Sequence, residues 1–420
     1  MAITPPPGVV AVVPSRPAFE TTGGGPSRGR REPATAALIA FTTMLTLTVA
    51  SLALPAVERD LGTVPGVSLW VLLGYALPSV LLIPPAARRL ERAGPRRTLL
   101  LGAGGFAAAT VLCGVAPHIV ALIAARVLQG GFAALLLVLA PVLALRSARP
   151  VSALSVTAVC GTLGAFTGPT AGGGLLAVIG WRALLVVQLP LVVVVLIAGA
   201  RALRSARSPE PSAFPAERAG GASRRPVAPA ALAALAALAA FDGAVIALYP
   251  FFLFQGGVQQ SPLAEVGLAM LALPAGVTVA GLAAGPLARR FGTRAVALAG
   301  AVVAAGGISL ILPMSPRWTA VDVAVRLLAA GVGMGLSCGT AQGVALTAAP
   351  SRLIVKVASH VQMARGAGFV LGSALASISW GASVYSRAGF GTALLVDVAA
   401  ALLAVVALVT VRSVTRHPSQ

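Results

Sequence analysis

The chain has 420 residues, of which 57% are hydrophobic and only 10% charged, with a mean hydropathy of +0.93. An average soluble domain carries about 25% charged residues, so this composition excludes an ordinary soluble globule, and its hydrophobicity excludes disorder over most of the length. Yet 31 Lys and Arg face 11 Asp and Glu, a formal net charge of +20, which is either a nucleic-acid footprint or a record of membrane topology.

Residues 1–34 are rich in Pro, Gly, Ser and Thr and carry Arg16, Arg28, Arg30 and Arg31, which reads as a disordered cytoplasmic tail. Crossing a bilayer as a helix takes about 20 apolar residues. Twelve stretches qualify: 36–55, 66–85, 98–116, 119–145, 152–178, 183–200, 229–254, 265–288, 295–314, 320–347, 357–380 and 390–411. They are apolar all round, not alternating, which argues against membrane strands. Residues 201–228 interrupt the series with Arg201, Arg204, Arg207, Arg218, Arg224, Arg225 and several prolines, a polar cytoplasmic linker. The expected fold class is therefore an all-α integral membrane protein of twelve transmembrane helices. It comprises an N-terminal six-helix bundle over 35–200, the linker 201–228, a C-terminal six-helix bundle over 229–411 and a cytoplasmic tail over 412–420.

Charge tests this topology, because cytoplasmic loops retain Arg and Lys. With the N-terminus inside, the outer loops keep only Arg59, Arg182, Arg317 and Arg387, while Arg126, Arg326 and Arg365 lie within spans. Every other basic residue falls on the inner side. The expectation is a multi-pass plasma-membrane protein with both termini cytoplasmic. The positive charge records that orientation, and no nucleic-acid partner is expected.

The two halves repeat with the same orientation. Arg92, Gly94, Arg96 and Gly102 match Arg290, Gly292, Arg294 and Gly300, and Arg126, Leu128 and Gly131 match Arg326, Leu328 and Gly331. Parallel halves of this kind occur in carriers whose site lies between them at mid-membrane. Cys113, Cys160 and Cys338 are isolated, with no ligand spacing, so no metal and no redox pair is expected. There is no GxxxxGK[ST] phosphate loop, no cofactor is expected, and no catalytic constellation clusters within a span, which argues against an enzyme.

The loop Ala87-Arg-Arg-Leu-Glu91-Arg92-Ala-Gly94-Pro-Arg96-Arg97 resembles the GxLaDrxGrkr loop of the major facilitator superfamily. Arg126-Val-Leu-Gln129-Gly130 is similar to its RxxQG element. Gly164-Ala-Phe-Thr-Gly168-Pro169-Thr-Ala-Gly172-Gly173 is similar to the GxxxGPxxGG signature of its antiporters, and Trp181-Arg182 with Gln188-Leu-Pro190 fits the stretch that follows. The pattern is closest to drug:proton antiporters of the fourteen-span branch, but with twelve spans. That branch's first-span LDxTxxNxALP here reads Leu45-Thr46-Leu-Thr48-Val-Ala-Ser51-Leu-Ala-Leu-Pro55, so Thr46 replaces an acid and Ser51 an amide. The resemblance implies alternating access, protons and a small molecule as partners within the lipid bilayer, and a monomer. It also implies a latch from Glu91 to span 11 and a span 5 that seals the halves.

Ionisable groups inside spans cost roughly 2.5–3.5 kcal/mol each on insertion scales and are functional candidates by default. Asp242, near the middle of span 7, leads as proton carrier, because loss of hydration at mid-membrane favours a carboxyl that can load and release a proton. Arg126, Arg326 and Asp397 are the other candidates for proton coupling, although Asp322 and Arg326 sit one helical turn apart and are expected to pair. Thr46, Ser51, Gln129, Phe166, Phe241, Tyr249, Gln342 and Gln362 are expected to line the substrate cavity, whose few polar groups suit lipophilic compounds. The leading expectation is proton-coupled efflux of small hydrophobic compounds. The rivals are an importer or uniporter on the same fold and a non-transporting sensor or scaffold.

Overall fold

The computed structural model describes residues 28–63, 65–204, 229–258, 269, 271–312, 318–346, 353–381 and 387–410. These form twelve α-helices: α1 (Arg28–Leu61), α2 (Pro65–Leu81), α3 (Ile83–Gly114), α4 (Ile119–Leu145), α5 (Pro150–Val186), α6 (Leu189–Arg204), α7 (Pro229–Val258), α8 (Ala272–Phe291), α9 (Thr293–Ser309), α10 (Ala320–Leu346), α11 (Ile354–Gly381) and α12 (Arg387–Thr410). Among the described residues six helical segments are long and apolar enough to cross a membrane, and shorter apolar helices accompany them at Trp70–Leu81, Ala230–Val245, Thr293–Ser309 and Leu394–Thr410. The helices build two six-helix bundles, α1–α6 and α7–α12.

Three boundaries differ from the sequence reading. First, α1 begins at Arg28, inside the stretch read as a tail, with Thr35 and Ala36 buried. Arg146 at the end of α4 holds this added turn through Glu32 at 3.5 Å. Residues 1–27, the linker beyond Arg204 and the tail beyond Thr410 lie outside the described residues. Second, the basic loop after span 2 is largely helical. Pro84 and Pro85 occupy the first turn of α3, where no intrahelical N–H is lost. The helix then runs on with Ile83, Ala86, Ala87 and Leu90 buried on one stripe and Arg88, Arg89 and Glu91 exposed. The true break is Gly94, at φ 75° and ψ 168°. Its repeat partner Gly292, at φ 88° and ψ 143°, makes the equivalent break between α8 and α9. Both sit in a region that residues with a Cβ avoid, so the two glycines matched in sequence carry the same turn. Third, α5 runs to a similar break at Gly180, φ 74°, past the expected end of span 5.

Below, the N-terminal face means the end of the bundles at which α1 begins. The halves meet there through backbone approach. A Cβ on Gly339 of α10 would fall on the backbone of Ser155 in α5, and one on Gly285 of α8 would fall on Ser152. Arg289 adds a hydrogen bond to Ser152 Oγ at 3.1 Å, and Gln362 Nε2 of α11 donates to the Leu137 carbonyl of α4 at 2.9 Å. At mid-depth, Val159 and Phe166 of α5 share one apolar cluster with Phe241, Val245, Leu273 and Val277 of the other half. The N-terminal face is thus closed.

Candidate functional site

Two buried polar clusters stand out, one in each half. In the N-terminal bundle Arg126 of α4 is fully buried. Its Nε donates to the Val71 carbonyl at 3.0 Å and its Nη1 to Gln129 Oε1 at 2.6 Å, while Nη2 lies 3.5 Å from the Thr46 carbonyl. The guanidinium also sits 4.7 Å from the centroid of the Tyr75 ring, a cation–π contact worth about 2 kcal/mol when desolvated. Gln129 passes the network on to Thr110 at 2.8 Å, and the Tyr75 hydroxyl donates to the Thr43 carbonyl at 2.9 Å. Arg126 thereby ties α1, α2, α3 and α4 together using neutral acceptors, with no ion pair to it among the described residues. Thr46, standing where the resembled branch has an acid, lies 2.5 Å from Gln188 Oε1 and 2.7 Å from the Thr42 carbonyl. It completes a neutral clamp between α1 and the α5–α6 junction.

The second cluster is in the C-terminal bundle and reaches the interface. Asp242 of α7 is buried, 9% exposed. The Cys338 thiol of α10 approaches Asp242 Oδ2 at 3.6 Å, and Arg365 Nη2 of α11 approaches the same sulfur at 3.6 Å. Arg365 Nη1 lies 3.4 Å from Gln362 Oε1, the residue that crosses to Leu137. Cys338 did not stand among the sequence candidates, and Arg365 stood there only as an intramembrane charge with no assigned role. A lone cysteine in an Ala/Gly-rich span carries no periodic signal that would place it beside a carboxylate on another helix. Arg365 was visible as an intramembrane charge, but its direction was not.

The structure separates residues that the sequence grouped together. Arg126 and Arg326 align in the repeat, yet Arg326 is partly exposed. It stacks 4.0 Å over Trp318, bonds the Leu310 carbonyl at 3.0 Å and pairs with Asp322 at 3.5 Å. Packing gives the reason. A Cβ on Gly130 would strike the Tyr75 carbonyl, and one on Gly331 would strike the Leu273 carbonyl in the same way. Gly102 faces Leu135 and Leu136, just as Gly300 faces Leu336 and Ser337. By contact, Gly130 therefore corresponds to Gly331, and Arg126 to the fully buried Leu327. A one-residue slip turns a helical side chain by about 100°, which is why one arginine enters its bundle and the other leaves it.

Other expectations are corrected in the same manner. Asp397, a proton-coupling candidate, is fully buried in α12, and neither carboxylate oxygen has a hydrogen-bond partner among the described residues. Glu91 is exposed and forms no ion pair among the described residues, so the latch is not made. Ala87 is buried, while Arg92, Arg96 and Arg97 are exposed. Gly164 and Gly168 face α1 of their own half: a Cβ on the first would strike Phe41 and one on the second Thr48. Glycines that admit the other half are on α8 and α10, and Gly366 of α11 faces the Val80 side chain of α2. Phe166 and Phe241 fill the shared apolar cluster, and Gln342 approaches its own helix at the Cys338 carbonyl, 3.4 Å away. The side chains of Ser51, Tyr249, Pro169, Gly172 and Gly173 lie outside the described residues.

On the face opposite the N-terminal one, Asp60 accepts from Arg182 Nη1 at 2.5 Å and from Trp181 Nε1 at 3.0 Å, with Arg182 stacked 4.3 Å over the Trp181 ring. The Arg182 bond first, then that of Trp181, holds the Asp60 carboxyl below its usual range.

Residues 36–373 match the Major Facilitator Superfamily. Among curated proteins, the chain is 33% identical over 172 residues to a multidrug efflux pump, LfrA, of Mycolicibacterium smegmatis, covering 40% of this chain and 34% of that protein. It is 33% identical over 198 residues to a probable actinorhodin transporter of Streptomyces coelicolor, covering 45% and 34%. The aligned parts thus span about a third of these relatives' length. Among solved structures, the human organic anion transporter MFSD10 superposes with a TM-score of 0.65 at 16% identity, over 90% of this chain and 99% of that one. FucP in its outward conformation gives 0.64 at 12% identity, over 90% and 97%, so both show likeness of fold.

Proposed function

Because this chain belongs to the Major Facilitator Superfamily, and is therefore a multi-pass membrane transporter of a small molecule, we propose that it exports small hydrophobic compounds in exchange for protons. Export proceeds by alternating access between the two bundles, from the cytoplasmic side, where both termini lie, across the plasma membrane, with the chain acting as a monomer. The drug-efflux and antibiotic-transporter names of its relatives support the substrate class. The observation that carries the coupling is Asp242, a buried carboxyl on a helix of the inter-bundle interface, approached by a thiol that an arginine meets in turn. A proton taken up there removes a charge from a region of low dielectric, which changes the balance between two packings of the bundles. No nucleic-acid partner or cofactor enters this reading.

The test uses inverted vesicles with an imposed pH gradient and ethidium as the transported probe. Asp242→Asn is expected to abolish gradient-driven ethidium movement while the amount of protein in the membrane stays unchanged. Undiminished movement would overturn the carrier role. An importer or uniporter is the second reading, favoured by Thr46, whose neutral bond to Gln188 leaves the interior of the N-terminal bundle without an acid among the described residues. Ethidium leaving the inverted vesicles, instead of accumulating, would select it.

A further inference from the structure

The carboxyl of Asp242 is linked to the closed interface by an unbroken series of polar contacts. Cys338 Sγ is 3.6 Å from Asp242 Oδ2, Arg365 Nη2 is 3.6 Å from that sulfur, and Arg365 Nη1 is 3.4 Å from Gln362 Oε1. Gln362 Nε2 then donates across the bundles to the Leu137 carbonyl at 2.9 Å. The donors run one way. The thiol gives its hydrogen to the carboxylate and turns its lone pairs to the guanidinium, which also feeds the glutamine oxygen. The glutamine is then fixed with its NH₂ toward α4. Every link is weak on its own, and the series is held by one charge at each end of the Cys338 bridge.

We infer that Arg365 is the positioning residue that converts proton binding at Asp242 into release of the α4–α11 contact at the N-terminal face. With Asp242 ionised, the guanidinium has its counter-charge one thiol away and stays with Gln362. A proton arriving on the Asp242 carboxyl leaves the partly buried Arg365 without its counter-charge, which is costly to the extent that the guanidinium is desolvated. Arg365 then moves toward water, the Gln362 side chain loses its fixed orientation, and the bond to Leu137 goes with it. Proton loading thus favours opening toward the N-terminal face. This deepens the proposed proton exchange and rests on Asp242 being the carrier.

Other groups do not offer a replacement for Arg365. Of the helices packed on α7, α10 brings Cys338 and α11 brings Arg365, while His360 and Lys356 of α11 are exposed toward its start. The acid of α12, Asp397, has no hydrogen-bond partner among the described residues, and α5 contributes Cys160, half-buried and in no disulfide. Arg126 is committed to α1, α2 and its own helix.

The experiment measures spin-label distances on the full chain in nanodiscs, with Arg88→Cys and Lys356→Cys as reporters on exposed positions of the two bundles at the N-terminal face, and Cys113 and Cys160 replaced by Ala. Cys338 is buried and is kept. Going from pH 8 to pH 5, the ratio of long-distance to short-distance populations is expected to rise at least about fivefold, the lower end of ordinary coupling between sites. Asp242→Asn should give the long distance at both pH values. Arg365→Gln should give no pH response, and Arg365→Lys should retain one. Cys338→Ser, which keeps a hydrogen to donate, should respond, and Cys338→Ala should respond less. An Arg365→Gln protein that responds as the parent does, with Asp242→Asn unresponsive, overturns the Arg365 role and leaves Asp242 as carrier. An Asp242→Asn protein that still responds to pH overturns both. A parent that does not respond overturns the Arg365 role, and the vesicle assay then decides Asp242 separately.

Discussion

Arg126 and Arg326 occupy matching places in a repeated sequence and end in opposite surroundings. Arg126 is fully buried, bonded to Val71, Gln129 and Thr46 and stacked on Tyr75. Arg326 lies half-out at a helix end, on Trp318 and Asp322. The repeat is real at the level of turns and helix crossings, where Gly94 answers Gly292 and Gly130 answers Gly331. It fails at the level of single side chains because α4 and α10 are set one residue out of the sequence match. The internal cation of the C-terminal bundle comes instead from α11, as the partly buried Arg365 against Cys338, which in turn meets Asp242. Two bundles of common design thus place their internal cations on different helices, one as a clamp and one at the interface.

Substitutions can break this comparison. Arg126→Ala should cost about 3 kcal/mol in thermal unfolding of the detergent-solubilised protein, through a cavity and lost charge-assisted hydrogen bonds in the core. A loss below that of Arg326→Ala would mean the clamp is not structural. The register itself is tested by glycine. Gly130→Ala and Gly331→Ala should each cost about 1–3 kcal/mol, since the new methyl group meets a backbone carbonyl that cannot move cheaply. Gly131→Ala meets only the Leu82 side-chain tip at 3.3 Å, and the helix propensity of Ala, about 1 kcal/mol above Gly, should make it neutral or stabilising. Equal losses at Gly131 and Gly331 would restore the sequence alignment.

Smaller effects are expected at exposed sites. Arg326→Ala should cost about 0.5–1 kcal/mol, the range of a solvent-exposed pair and ring contact. The smallest change belongs to Asp60, whose carboxyl is held below its usual range by Arg182 and Trp181. Its contribution is present above the unfolded value of about 3.9 and disappears as pH falls through the lowered folded value. The melting temperature of Asp60→Asn should therefore fall slightly below that of the parent at neutral pH, and the gap should close in strong acid. A gap that widens on acidification would contradict the assignment.

Much was legible without coordinates. Long apolar runs have one cheap arrangement in a bilayer, the helix, so twelve spans and two bundles follow from hydropathy alone. Gly94 and Gly292 were matched as a repeat, but that each is itself the turn, at the positive φ a residue without a Cβ allows, came from the structure. Asp242 and Arg126 stood out because charge in a span is costly. The role of Gly164 and Gly168 was read only in part. The resemblance implied a span 5 that seals the halves, whereas these two glycines pack on α1 of the same bundle.

What the sequence determined by itself was thus set by the solvent: apolar length fixes the spans, and loop arginines give an orientation to test. What only the tertiary structure decided was direction around each helix. An α-helix turns by about 100° per residue, and an apolar, Ala- and Gly-rich span has no polar face to say which way it points. The meeting of Asp242, Cys338, Arg365 and Gln362 across three helices, and the parting of Arg126 from Arg326 by one residue of register, depend on that rotation. It is fixed by backbone contacts between glycines and carbonyls of neighbouring helices, which become visible only once the helices are packed.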